Sequence, residues 1–261
     1  MTTRLLQITD LHLFAEADTR LRDVPTRDTF HDVLEYIESH EDDFDRTIIT
    51  GDLTHDERAE TYHILRKALG NRVASCSIIP GNHDDRRLIR ETFPELVPTD
   101  SELVTFERHI AGWVLIGLDT HWPGEVSGRM EPAQFDWLRE RLRENADVPT
   151  LLFMHHPPID VGSVWMDRIS LRRPHPFVEI VAAAPQVKAV FTGHVHHEFT
   201  GTVAHASLHT TPSTGVQFVP GDDEPSFDSL PPGYRVIELD GETYRTHVVR
   251  LPELKYPASA D

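Results

Sequence analysis

The ten residues from Cys76 to Asp85, CSIIPGNHDD, join an apolar run to a glycine and then to an amide, an imidazole and two carboxylates. The run has strand length, and glycine at its exit allows a tight turn and a close approach to the backbone. Four consecutive positions rich in metal and proton chemistry exceed what a surface turn needs. Open α/β sheets present their sites at the carboxyl ends of strands, and the chain ends four more apolar runs in the same way.

Upstream, RLLQITD (residues 4–10) stops at Asp10, Leu11 and His12, and strand alternation puts Asp10 and His12 on one side, where both can face one ion. Taken alone, an aspartate and a histidine two apart also describe an ordinary polar strand end. Phe30, Val33, Leu34 and Ile37 give residues 26–41 a helical apolar stripe. RTIITG (46–51) is the next strand and ends at Gly51 and Asp52, before THDE opens a helix striped by Tyr62, Leu65 and Leu69 and capped by Gly70.

Downstream of a helix from Leu88 to Phe93, ELVTFERH and GWVLIGLDT read as an antiparallel hairpin broken at Ala111 and Gly112, so the sheet is mixed. Residues 131–145 return to helical spacing through Phe135, Leu138 and Leu142, with Pro132 in the first turn. TLLFM (150–154) then ends at His155, His156, Pro157 and Pro158, where the prolines stop helix and ladder alike. KAVF (188–191) ends in Thr192, Gly193, His194, Val195 and His196, with His194 and His196 sharing a side. The last third reads as an antiparallel sheet from GTVAHASLHT, YRVIEL and YRTHVVRL, with a hairpin turn at Asp240 and Gly241. Residues 219–233 form a loop expected to pack by Phe227 and Leu230, and 252–261 read as a frayed end.

Composition bounds the function. At 261 residues, 39% hydrophobic and 26% charged, the chain suits one α/β domain over 1–250 with a tail over 251–261. No apolar run approaches the roughly 18 residues of a membrane span, and MTTRLLQITD lacks the features of an export signal, so no membrane partner is expected and a cytoplasmic placement follows. Cys76, the only cysteine, lies inside an apolar run and reads as a small buried hydrophobe. A net charge of −18 repels nucleic-acid polymers. Self-association is left open.

The candidate ligands are Asp10, His12, Asp52, Asn82, His155, His194 and His196, with His83 beside them. Oxygen and imidazole donors without thiolate suit manganese, iron or zinc. Seven donors are too many for one tetrahedral ion and natural for two ions sharing a carboxylate. Two divalent ions less Asp10, Asp52 and a hydroxide leave a centre of about +1, which matches a phosphodiester monoanion. Such ions lower the pKa of a bound water, so that hydroxide attacks in line and no covalent intermediate is needed.

In this order, DLH, GD, GNHD, MHHPP and GHVH over residues 8–197 resemble the signature of the calcineurin-like metallophosphoesterases. The resemblance implies a four-layer α-β-β-α sandwich of two mixed sheets with a binuclear site at the strand C-terminal ends. It implies a first ion on Asp10, His12 and His196, a second on Asn82, His155 and His194, and Asp52 bridging them. Manganese or iron would fill the sites, with zinc and cobalt also accepted. ITDLHLF, PGNHDD, SVWMDRISLRR, TPSTGVQF and LPPGYRVIEL further resemble the bacterial class III cyclic nucleotide phosphodiesterases. That likeness implies hydrolysis of 3′,5′-cyclic AMP to 5′-AMP by a metal-bound hydroxide. The protein serine/threonine phosphatases differ, carrying GDxVDRG and GNHE where this chain has GDLTHDE and GNHD.

His83 is assigned to catalysis, as donor to the phosphoryl or leaving oxygen, and Asp84 to supporting the His83 ring. Asn82, His83 and Trp165 would contact the substrate, with Trp165 either against adenine or in a packing or dimer contact. His156 and His197 read as structural neighbours of the ligands. The alternatives are a broader hydrolase of small phosphodiesters, such as glycerophosphodiesters or 2′,3′-cyclic nucleotides, and a non-catalytic binding scaffold on the same fold.

Overall fold

The computed structural model describes residues 2–97 and 101–259. Along the chain run β1 (Thr3–Ile8), α1 (Thr26–His40), β2 (Arg46–Thr50), α2 (Ala59–Leu69), β3 (Cys76–Ile79) and α3 (Arg86–Thr92). They are followed by β4 (Phe106–Ile110), β5 (Trp113–Gly117), α4 (Pro132–Glu144), β6 (Thr150–Phe153), the single-turn α5 (Val164–Asp167) and α6 (His175–Ala182). The chain finishes with β7 (Val187–Thr192), β8 (Phe199–Val203), β9 (Ala206–Thr210), β10 (Gly233–Asp240) and β11 (Thr243–Arg250).

Two sheets form, in the orders β11-β10-β1-β2-β3 and β4-β5-β6-β7-β9-β8. Both are mixed: β1, β2 and β3 run parallel beside the antiparallel pair β10 and β11, and β5, β6, β7 and β9 run parallel between β4 and β8. Alternating side chains explain why the central strands are apolar throughout. Leu5, Ile48 and Ile79 of the first sheet meet Leu115, Phe153 and Phe191 of the second between the sheets. The neighbouring Leu6 and Ile49 face outward onto Phe30, Val33 and Leu65 of α1 and α2. Ile116, Leu152 and Val190 face the other way, onto Leu138, Phe177 and Val181 of α4 and α6. Three apolar layers therefore separate four structural layers, as the resemblance implied.

The last third departs from the sequence reading. GTVAHASLHT is two strands turned at Ala204, whose φ is +54°, and β9 runs parallel to β7. The β8–β9 pair extends the second sheet while β10 and β11 extend the first. Alternation identifies a strand without naming its neighbour, so one antiparallel sheet was the wrong assembly. Phe227 does pair with Phe218, but Leu230 is 44% exposed and packs little. The end of the chain is also held: Leu251 is buried, Lys255 pairs with Asp32 at 2.9 Å, and the Ser259 amide donates to Arg22 O at 3.0 Å. Residues 260 and 261 of the expected tail lie outside the described residues.

Candidate metal centre

Beyond the strand ends the backbone turns sharply. Asp10, His12, Asp52, His194 and His196 all have positive φ, between +45° and +69°, although none is glycine. Left-handed backbone costs a non-glycine residue about 1 kcal/mol or more, and such residues cluster where a site demands them. Hydrogen bonds hold these turns: the Asp10 amide donates to Gly51 O (3.0 Å), His12 N to Asp52 O (2.9 Å), and His194 N to the Asp10 carboxylate (3.0 and 3.1 Å). Two glycines let the turns pack. A Cβ on Gly81 would stand 2.2 Å from Asp52 Oδ1, and one on Gly51, where φ is +95°, would stand 2.6 Å from His155 Nδ1.

The seven expected ligands converge as two sets with a shared carboxylate. In the first, His12 Nε2 lies 3.1 Å from His196 Nε2, and His196 Nε2 lies 3.3 Å from Asp10 Oδ1. In the second, His155 Nε2 lies 3.3 Å from Asn82 Oδ1, and the His194 ring is 5.2 Å from that of His155. Asp52 Oδ2 stands 3.4 Å from both His12 Nε2 and His155 Nε2. Bonds of about 2.1 Å place donors on adjacent corners of an ion roughly 3 Å apart, so these separations suit ligands of common ions.

Two further observations fit a pair of divalent cations. His194 Nε2 is buried without a hydrogen-bond partner, an expense that a ligand bond removes. The electrostatics also call for positive charge. Burial disfavours charge on both Asp52 and His155, yet their mutual attraction wins, lowering the Asp52 pKa and raising that of His155 to about 9. Burial keeps His12 neutral against the pull of Asp52, and it depresses His194 to about 3, reinforced by His155. Neutral imidazole is the form that binds metal, so His12 and His194 stand ready while His155 would give up its proton on binding. His155, His156 and His194 form another close group, but the nitrogens of His156 are engaged by Thr120 Oγ1 at 2.8 Å and Val126 O at 3.0 Å. Asn82 Oδ1 is thus the free donor beside His155, and His156 braces the loop above it.

The structure puts His83 and Trp165 on the wall of a cavity of about 250 Å³ over this centre, with Phe218 and Phe227. Trp165 packs edge-on to Phe218, 4.9 Å between ring centroids. Asp84 does not hold the His83 ring. It is buried and accepts from the amides of Gly81 (2.9 Å), Leu53 (3.2 Å) and Thr54 (3.4 Å) and from the Tyr62 hydroxyl (3.0 Å). Burial first, and the Asp52 carboxylate second, raise its pKa to about 7. It stitches the Asp52 turn to the Asn82 turn. His197 is buried in the turn after β7, where Thr210 Oγ1 donates to its carbonyl at 2.6 Å.

Sequence reading missed two contributors. His55 places Nδ1 3.1 Å from His12 Nδ1 and stacks on His83 at 4.5 Å and 19°. The end of β5, where Asp119 accepts a two-pronged bond from Arg86 at 2.6 and 2.8 Å, anchors the start of α3. The signals were present as GDLTH and GLDTH, each a polar group just past an apolar run.

The profile of the calcineurin-like phosphoesterase family matches residues 3–198 of this chain. The 3′,5′-cyclic adenosine monophosphate phosphodiesterase CpdA of Escherichia coli K12 is 33% identical over 254 residues, spanning 97% of this chain and 91% of that protein. Its Vibrio vulnificus namesake is 35% identical over 250 residues, spanning 95% and 90%. Among solved structures, a dimetal phosphatase from Danio rerio superposes with a TM-score of 0.64 at 14% identity, covering 95% of this chain and 98% of its own, a likeness of fold alone.

Proposed function

This chain belongs to the calcineurin-like phosphoesterase family, and from that premise we propose that it hydrolyses 3′,5′-cyclic AMP to 5′-AMP using two divalent ions. The observation that carries the reading is Asp52 Oδ2, equidistant at 3.4 Å from one histidine of each ligand set. Asp10, His12 and His196 would hold one ion, Asn82, His155 and His194 the other, and Asp52 both. Manganese or iron suits these donors best. When bound, the ions supply positive charge to the phosphoryl oxygens and acidify a water.

The chain's own residues would do the rest. Asn82 and His83 face the cavity and orient the phosphoryl group, and His83 gives a proton to the departing 3′ oxygen. Asp84 keeps the two turns at fixed spacing and acts through them. Trp165, Phe218 and Phe227 exclude water and receive the base against apolar faces. The working unit is a single domain over 1–250, and among the described residues no helix is long and apolar enough to cross a membrane. A cytoplasmic placement belongs to the same proposal.

A second reading, a broader hydrolase of small diesters, is favoured by one feature. A cavity of about 490 Å³, lined by Glu57, Arg86 and His121, also adjoins Asn82 and His83 and would admit a second substituent of a larger or open-chain diester. The deciding experiment compares turnover of 3′,5′-cyclic AMP, 2′,3′-cyclic AMP and glycerophosphodiesters after loading with manganese or iron. Preference for 3′,5′-cyclic AMP, abolished by Asp52→Asn, is the expected result; preference for a glycerophosphodiester overturns the substrate and leaves the chemistry. Metal binding without turnover of any diester would support a scaffold.

A further inference from the structure

We propose that His55 is a positioning residue that fixes the ring of His12 for metal binding through a nitrogen-to-nitrogen hydrogen bond. The inference rests on the reading that His12 ligates an ion. His12 directs Nε2 at His196 Nε2 (3.1 Å) and Asp52 Oδ2 (3.4 Å), into the centre. A ligand there needs its lone pair on Nε2, so the proton of the neutral ring sits on Nδ1. His12 Nδ1–H then donates to His55 Nδ1, 3.1 Å away, and His55 carries its own proton on Nε2.

Two of the other ligand imidazoles show what is unusual here. His155 Nδ1 is oriented by the backbone carbonyl of Thr50 at 2.7 Å, and His196 Nδ1 by that of Val216 at 2.8 Å. His12 relies on a side chain instead. That side chain is itself held in place. Its ring lies between Phe14, 5.0 Å away, and His83, parallel at 4.5 Å, and its amide donates to Leu13 O at 2.9 Å. The segment that carries His12 and the one that follows Asp52 are thus laced together at His55, which sits half-buried on the cavity wall.

Partners that orient a metal-bound histidine set affinity by roughly 10- to 100-fold. The test uses His55→Gln and His55→Leu, similar in size, of which only glutamine offers an acceptor. Manganese affinity of the metal-free full chain is measured by competition with a fluorescent chelator, and the melting temperature of the metal-free protein is recorded beside it. His55→Leu is expected to weaken binding roughly 10- to 100-fold, His55→Gln to keep most of the affinity, and both to melt alike without metal. Leucine binding manganese as tightly as the parent, or glutamine losing as much as leucine, overturns the proposal. A parent chain that binds no manganese brings down the two-ion reading itself, a distinguishable outcome.

Discussion

Tyr62 shows how a residue remote from the substrate shapes the site. Its hydroxyl donates to Asp84 Oδ1 at 3.0 Å and accepts from the Asp85 amide at 2.7 Å, so removing it leaves that amide without its partner and takes one donor from a buried carboxylate oxygen. Burial, with the Asp84 carboxylate, pushes the phenol pKa far above its usual range, and the group stays protonated as a donor. Tyr62→Phe should cost about 1–3 kcal/mol in urea unfolding. Cys76 obeys the simpler rule anticipated for it: burial raises its thiol to about 12 against the opposing pull of Arg46. The folded protein should therefore leave Ellman's reagent unreacted at pH 8, and one thiol should titrate after guanidinium is added.

At the scale of elements, turns decide more than strands do. The β4–β5 hairpin turns through Ala111 and Gly112, with φ of +48° and +80°, both left-handed as a two-residue type I′ turn requires. Alanine bears strain there that asparagine tolerates better. Ala111→Asn should raise stability by roughly 0.5–1 kcal/mol, read as a higher melting temperature with unchanged turnover. Gly81 tests the opposite case. Its added Cβ would fall 2.2 Å from Asp52 Oδ1, so Gly81→Ala should displace the Asp52 carboxylate and lower metal affinity by at least tenfold, measured by chelator competition. Both predictions concern backbone approach, which no pattern of apolar residues records.

Across the whole molecule, polar ties supplement the apolar interface between the sheets. Trp113 Nε1 donates to Gly241 O at 2.7 Å, and His209 Nε2 and the Tyr244 hydroxyl lie 3.1 Å apart. Burial lowers the His209 pKa from 6.5 to about 4, helped by Arg235, so the folded protein prefers it neutral. The stability from that neutral ring is full above pH 6.5 and is lost as pH falls through 4, because the unfolded chain takes up the proton first. His209→Gln should flatten the fall in melting temperature of the metal-free protein between pH 6.5 and 4. A slope equal to the parent's would remove His209 from the acid response.

Five strand ends bearing aspartate, asparagine or histidine were legible because strand periodicity and chemical type are both local properties of the chain. The helices of residues 26–40 and 59–69 were legible for the same reason: their apolar stripes match the buried faces of α1 and α2. Pairing was not. Whether β9 joins β7 or β10, and whether residues 252–259 fray or dock near α1, depends on surfaces contributed by distant segments. The site divides along the same line. Candidate ligand types and their order are written in the sequence, whereas the left-handed backbone at five of those candidates, the seat of Asp84 across two turns and the pairing of His55 with His12 exist only after β1, β2 and β3 lie side by side. Contacts between residues tens of positions apart are energies of the folded arrangement, and those energies decide which polar groups converge on one centre and which brace them.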